Sequence, residues 1–161
     1  MKMTSLIVFT ALCLPALAHA QAPQMEKNIS TAMAQAIIAG AVEECAKTSF
    51  RVSVVVVDKA GQLAAALRGD GTAPHTVEFA RMKAYTARTR NQTSLEFAAA
   101  TAAGDAAALR QIPGVIAIGG GVPIKAGTET IGAVGVSGAP GGDKDETCAK
   151  AGIAKVAAAL N

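Results

Sequence analysis

Val52-Ser53-Val54-Val55-Val56-Val57-Asp58, then Lys59-Ala60-Gly61, then Gln62-Leu63-Ala64-Ala65-Ala66-Leu67-Arg68, is the stretch from which the architecture is read. Side chains branched at Cβ favour extended backbone, and the nearly continuous apolar run fits a strand buried on both faces. Three turn residues leave no room for a crossover, so Gln62–Arg68 returns antiparallel and the unit is a hairpin.

Outward from the hairpin the pattern changes period. Before it, Ser30 is placed to cap a helix over Thr31–Lys47, with Met33, Ile37, Val42 and Cys45 near helical spacing. After it come a loop at Gly69–Pro74, a helix over His75–Arg90 and short helical pieces at Leu95–Ala103 and Asp105–Arg110. Ile116–Ile118, Val122–Lys125 and Thr130–Ser137 read as further strands, the first two flanking Gly119-Gly120-Gly121. Asp143 with Glu146 three residues on resembles a capping box for a final helix to about Leu160. Helices at both ends of short antiparallel strands imply one α+β domain, a sheet covered by helices.

The first twenty residues read differently. Lys2, the apolar run Leu6–Leu17 and the small-residue ending Ala18-His19-Ala20 form the three parts of a secretory signal. The expected division is a signal peptide at 1–20, a polar lead-in at 21–28 and the domain at 29–161, working in the periplasm or secreted. Leu12 before Cys13 argues against a lipoprotein site. No later stretch is long and apolar enough to span a bilayer. A formal charge of +3, with one Tyr, four Phe and no Trp, offers neither a polyanion footprint nor stacking platforms, so nucleic acid is not an expected partner.

Candidate chemistry is sparse. Gly132-Ala133-Val134-Gly135-Val136-Ser137-Gly138 has its glycines every third residue within or ending a strand. That spacing fits close backbone approach better than a dinucleotide loop, which needs a strand before it and a helix after. Gly135-Val136-Ser137-Gly138-Ala139 nearly spells a nucleophile elbow, but Ala139 replaces the last glycine and His75 lies upstream of the serine, the wrong order for that fold. One histidine and two distant cysteines beyond the signal do not build the usual zinc site. His75, at a loop-to-helix junction, can ligate haem iron or can simply be a surface or capping residue. Arg81, Lys83, Arg88 and Arg90 pair at seven-residue spacing as an outer basic stripe, either a solvated face or a holder of carboxylates such as haem propionates.

Several blocks together carry a family resemblance. Val54–Asp58, Gly61 and Leu63, Arg68 with Asp70-Gly71, Lys83–Ala87, Gly119–Ile124, Gly132–Gly138 and Asp145–Gly152 resemble the GlcG/HbpS-like family of small haem-binding proteins, in unbroken order over nearly all of residues 29–160. The chain also looks like the C-terminal domain of certain corrinoid adenosyltransferases. The resemblance implies a profilin-like fold, with a five-stranded antiparallel sheet flanked by helices, and assembly as a homo-oligomer. It implies haem binding more strongly than catalysis. Threonine and histidine both serve as axial ligand in the family, and Thr93 and His75 are the matching residues here. Asn91-Gln92 before Thr93 and Ala139-Pro140 after Gly138 depart from the common pattern.

The same fold would set the helices of Cys45 and Cys148 on one sheet, where export favours a disulfide over two separate buried thiols. Two rival functions stay open: an enzyme or binder for a small carboxylate or hydroxy acid using Arg68, Asp70 or Lys83, and a ligand-free oligomeric interaction module.

Overall fold

The computed structural model describes residues 22–160; the expected signal at 1–20 lies outside them. The order of elements is α1 (Thr31–Ala46), β1 (Ser53–Asp58), β2 (Leu63–Leu67), α2 (Thr76–Arg90), α3 (Ser94–Ala100), β3 (Gly121–Ala126), β4 (Glu129–Ser137) and α4 (Gly142–Ala154). Short 3₁₀ turns follow at Asp105–Gln111, between α3 and β3, and at Ala157–Ala159, after α4.

The strands form one antiparallel sheet in the order β2-β1-β4-β3. Its central pair, β1 and β4, runs in register from Ser53 opposite Ser137 to Asp58 opposite Gly132. The valines of β1 part between the two faces. Val54 and Val56 meet Ile37, Ala41 and Ala149 from α1 and α4. Val55 and Val57 meet Ala80, Ala84 and Ala87 of α2. Each buried valine contributes about 1.5–3 kcal/mol, so the four together anchor both layers. The expectation of a strand buried on both faces is met.

Small residues let α2 lie flush on the sheet. A Cβ on Gly135 would fall 2.0 Å from the carbonyl oxygen of Ala80, and one on Gly121 would fall 2.1 Å from that of Lys83. The recurring glycines thus serve close backbone approach, as their spacing suggested.

On the other face Cys45 of α1 and Cys148 of α4 form a disulfide with Cα atoms 5.5 Å apart. Ser30 caps α1 as expected, its hydroxyl accepting the Met33 N–H. The polar lead-in is tied to the domain. Glu26 pairs with Lys59, Asn28 Oδ1 accepts the Lys59 N–H, and the Ile29 N–H donates to the Ile131 carbonyl.

Two expectations are corrected. The sheet has four strands among the described residues, not five, because Ile116–Ile118 is not a strand. Its Ile116 N–H donates to the Thr86 hydroxyl of α2 at 2.9 Å, so a side chain takes the place of a neighbouring strand. The capping box of Asp143 and Glu146 does not form either. Gly141 holds the cap position without a side-chain bond, α4 ends at Ala154, and Glu146 pairs with Lys150 instead.

Candidate functional site

The register that sets Ser53 opposite Ser137 brings one end of the sheet against the first turns of α2 and α4. Between them lies a cleft of about 520 Å³. The loop before β1 supplies Phe50 and Arg51, and the loop before α2 supplies Gly71 and Thr72. His75, Thr76, Phe79 and Lys83 descend along α2, Ser137 ends β4, and Gly142 and Asp145 open α4. The volume falls within the range of about 300–1,000 Å³ usual for small-molecule sites.

The floor is a buried ion pair. Lys83 Nζ donates to Asp145 Oδ2 at 2.7 Å and to the Val136 carbonyl at 3.0 Å, while Asp145 Oδ1 accepts the Ala139 N–H at 3.0 Å. Burial pushes the Asp145 carboxyl above its ordinary value, against the pull of the Lys83 charge and hydrogen bond. Room for the pair depends on Gly120, at φ +117°, where a Cβ would fall 2.7 Å from that of Asp145. Thr72 and Thr76 line one wall, and behind them the buried Ser53 hydroxyl lies 2.8 Å from that of Thr76 and 3.2 Å from that of Thr72.

At the mouth stands His75. It holds the N-cap position of α2 but makes no side-chain capping bond. Its exposed ring sits edge-on to Phe79 with centroids 4.9 Å apart. An imidazole so placed keeps a nitrogen for a ligand.

The other sequence-derived candidates part company. Lys83 belongs to the cleft, but it is only 2% exposed and is not part of an outer stripe. The reason is angular: residues two apart on a helix point about 200° away from each other, so Arg81 and Lys83 cannot share a face. Arg81 stands outside, bound through two nitrogens to Glu78. Arg88 donates to the Lys59 carbonyl, and Arg90 lies over the Phe97 ring. Thr93 caps α3, its hydroxyl accepting the Glu96 N–H while Glu96 returns a carboxylate to the Thr93 N–H. Neither Thr93 nor Arg68 nor Asp70 lines the cleft.

Arg51 and Phe79 were missed as site residues, having no local pattern to mark them, and Ser137 was weighed only as a nucleophile. Asp145 had one signal, since it opens the last block of the resemblance.

Comparison with known proteins agrees with this architecture. The model of the family described as haem degrading protein HbpS-like matches residues 29–154. GlcG of Escherichia coli (strain K12) is 36% identical over 109 residues, which are 68% of this chain and 81% of the relative. The crystal structure of a double mutant of Streptomyces reticuli HbpS superposes with a TM-score of 0.79 at 37% identity, covering 87% of this chain and 97% of that one. PduOC, solved as a haem complex, shares the fold with a TM-score of 0.72 at 24% identity, over 80% of this chain and 94% of that one. The chain belongs to the HbpS-like family.

Proposed function

We propose that this chain is an exported haem-binding protein that works in the periplasm or outside the cell as a homo-oligomer. The observation that carries the reading is His75, an exposed imidazole free of any capping bond at the mouth of a cleft walled by Phe50, Phe79 and Ile118. An apolar wall, a nitrogen donor and a nearby guanidinium suit a flat apolar ligand that carries a metal and acid groups. The family's description supports haem as that ligand. When bound, haem supplies redox chemistry at iron. The protein's part would be to bind and orient it, with His75 offering a nitrogen to the iron and the Lys83–Asp145 pair holding the floor.

Of the two family ligand types, His75 is preferred to Thr93, whose hydroxyl is spent on capping α3. Export rests on the signal-like pattern of residues 1–20. Assembly rests on the apolar side chains Leu63, Leu67, Leu95 and Ile118, each at least 39% exposed. The small-carboxylate reading is less well served, because Arg68 and Asp70 stand outside the cleft and the charge of Lys83 is already met by Asp145.

Titration of the oxidised protein with haemin tests the reading. A saturable Soret shift is expected, weakened about tenfold or more by His75→Ala, the scale of losing one strong polar contact. Thr93→Ala is expected to leave the spectrum unchanged. The absence of any Soret shift in the wild type overturns haem binding. A spectrum altered by Thr93→Ala and not by His75→Ala overturns the ligand assignment.

A further inference from the structure

The chain has six arginines, and among the described residues five of them are engaged. Arg81 is held by Glu78, Arg88 by the Lys59 carbonyl, Arg110 by Thr101 and the Ala98 carbonyl, Arg68 by the Thr72 carbonyl, and Arg90 by the Phe97 ring. Arg51 and Arg90 alone have neither a carboxylate nor a hydrogen-bond acceptor from these residues; Arg90 lies against its ring outside the cleft, whereas Arg51 lines it. The one carboxylate on the cleft floor, Asp145, is spent on Lys83 and the Ala139 N–H. Arg51 is therefore the uncompensated cation of the site.

Its position is built rather than incidental. A Cβ on Gly138 would fall 2.4 Å from the Arg51 carbonyl oxygen, so the exit of β4 grips the arginine backbone. A Cβ on Gly71, itself at φ +69°, would fall 2.5 Å from Nη1, so a second loop leaves room for the guanidinium at the cleft wall. A side chain at Gly138 would press on the Arg51 backbone, whereas one at Gly71 would meet only the movable guanidinium tip.

We infer that Arg51 is the anchor for an acid group of the ligand, and that the cleft selects a carboxylate-bearing molecule through it. Guanidinium binds carboxylate through two parallel hydrogen bonds, which a neutral ester cannot replace with equal strength. This inference rests on the haem-binding reading, under which the group held is a propionate. It moves that role from Arg81, Lys83, Arg88 and Arg90, which the sequence suggested, to a residue at the entrance of β1.

The test compares haemin with its dimethyl ester, in which both propionates are neutral, by Soret titration in matched co-solvent. Wild-type protein is expected to bind haemin about tenfold more tightly than the ester, the scale of one charge-assisted contact. Arg51→Met, which keeps an apolar stem, is expected to bind both porphyrins alike at the ester's affinity, with an unchanged thermal unfolding midpoint. Arg51→Lys retains part of the preference. Equal binding of the two porphyrins by wild type, or a preference that survives in Arg51→Met, overturns the role of Arg51 while haem binding stands. If neither porphyrin shifts its Soret band, the haem reading fails and the Arg51 assignment fails with it.

Discussion

Lys83 of α2 and Asp145 of α4 meet at 2.7 Å with side chains only 3% and 4% exposed, tying two helices from opposite faces of the sheet beneath the cleft. Two buried charges are tolerated here because each has further partners, the Val136 carbonyl for the ammonium and the Ala139 N–H for the carboxylate. Removing one member strands the other. Lys83→Met or Asp145→Leu is expected to lower stability by about 3–5 kcal/mol, and the double replacement by much less. Urea unfolding of the four proteins gives the coupling directly. Single variants within experimental error of wild type would show that the pair does not hold the helices.

The contact between Gly135 and Ala80 leads to a packing prediction. With 2.0 Å between a Cβ at Gly135 and the Ala80 carbonyl oxygen, the clash is with backbone on both sides, which cannot swing aside. Gly135→Ala is expected to lift α2 from the sheet and to lose at least about 1–3 kcal/mol, the range for overpacked cores. Gly127→Ala is the control, since a Cβ there meets nothing within 4 Å and only its φ of +63° opposes the change. Equal losses in the two variants would mean that α2 adapts more readily than close packing allows.

The disulfide closes a loop with a sequence separation of 103 residues. A cross-link spanning about 100 residues contributes up to about 4.7 kcal/mol by restricting the unfolded chain. Replacing both cysteines with alanine is expected to reduce stability by about 2–5 kcal/mol. Intact mass two units below the reduced value, with no thiol labelling of unfolded protein until reductant is added, is the direct check on the bond.

Acid sensitivity follows from the carboxylates with cationic partners. A hydrogen bond from Lys59 lowers the Glu129 carboxyl below its ordinary 4.5, and one from Arg81 does the same for Glu78. The unfolded chain therefore holds these protons more tightly than the folded one. Their contribution is present above the ordinary carboxylate value and is lost as pH falls through the lowered ones. The unfolding temperature is expected to drop between about pH 5 and about pH 3, and Lys59→Ala to flatten the part owed to Glu129. A wild-type and Lys59→Ala pair with parallel pH profiles would contradict this.

What is local or periodic could be read from the residues in order. Four consecutive valines and a three-residue turn specify a hairpin strand buried on both faces, because a strand's side chains alternate and here both alternations are apolar. Ser30 marks the start of α1, since its hydroxyl meets a donor three residues away. The glycines of β4 announced close approach, though not that Ala80 would be the neighbour. Other features depend on partners far along the chain. Lys83 reads as one more surface base until Asp145, 62 residues on, is placed beside it. Ile116–Ile118 has the composition of a strand, yet Thr86 takes its backbone N–H from 30 residues away. Arg51 carries no local signal at all, because what distinguishes it is that the fold brings it to a cleft without bringing it a partner. Periodicity encodes which face is buried, but which charge is neutralised is settled only when distant segments pack.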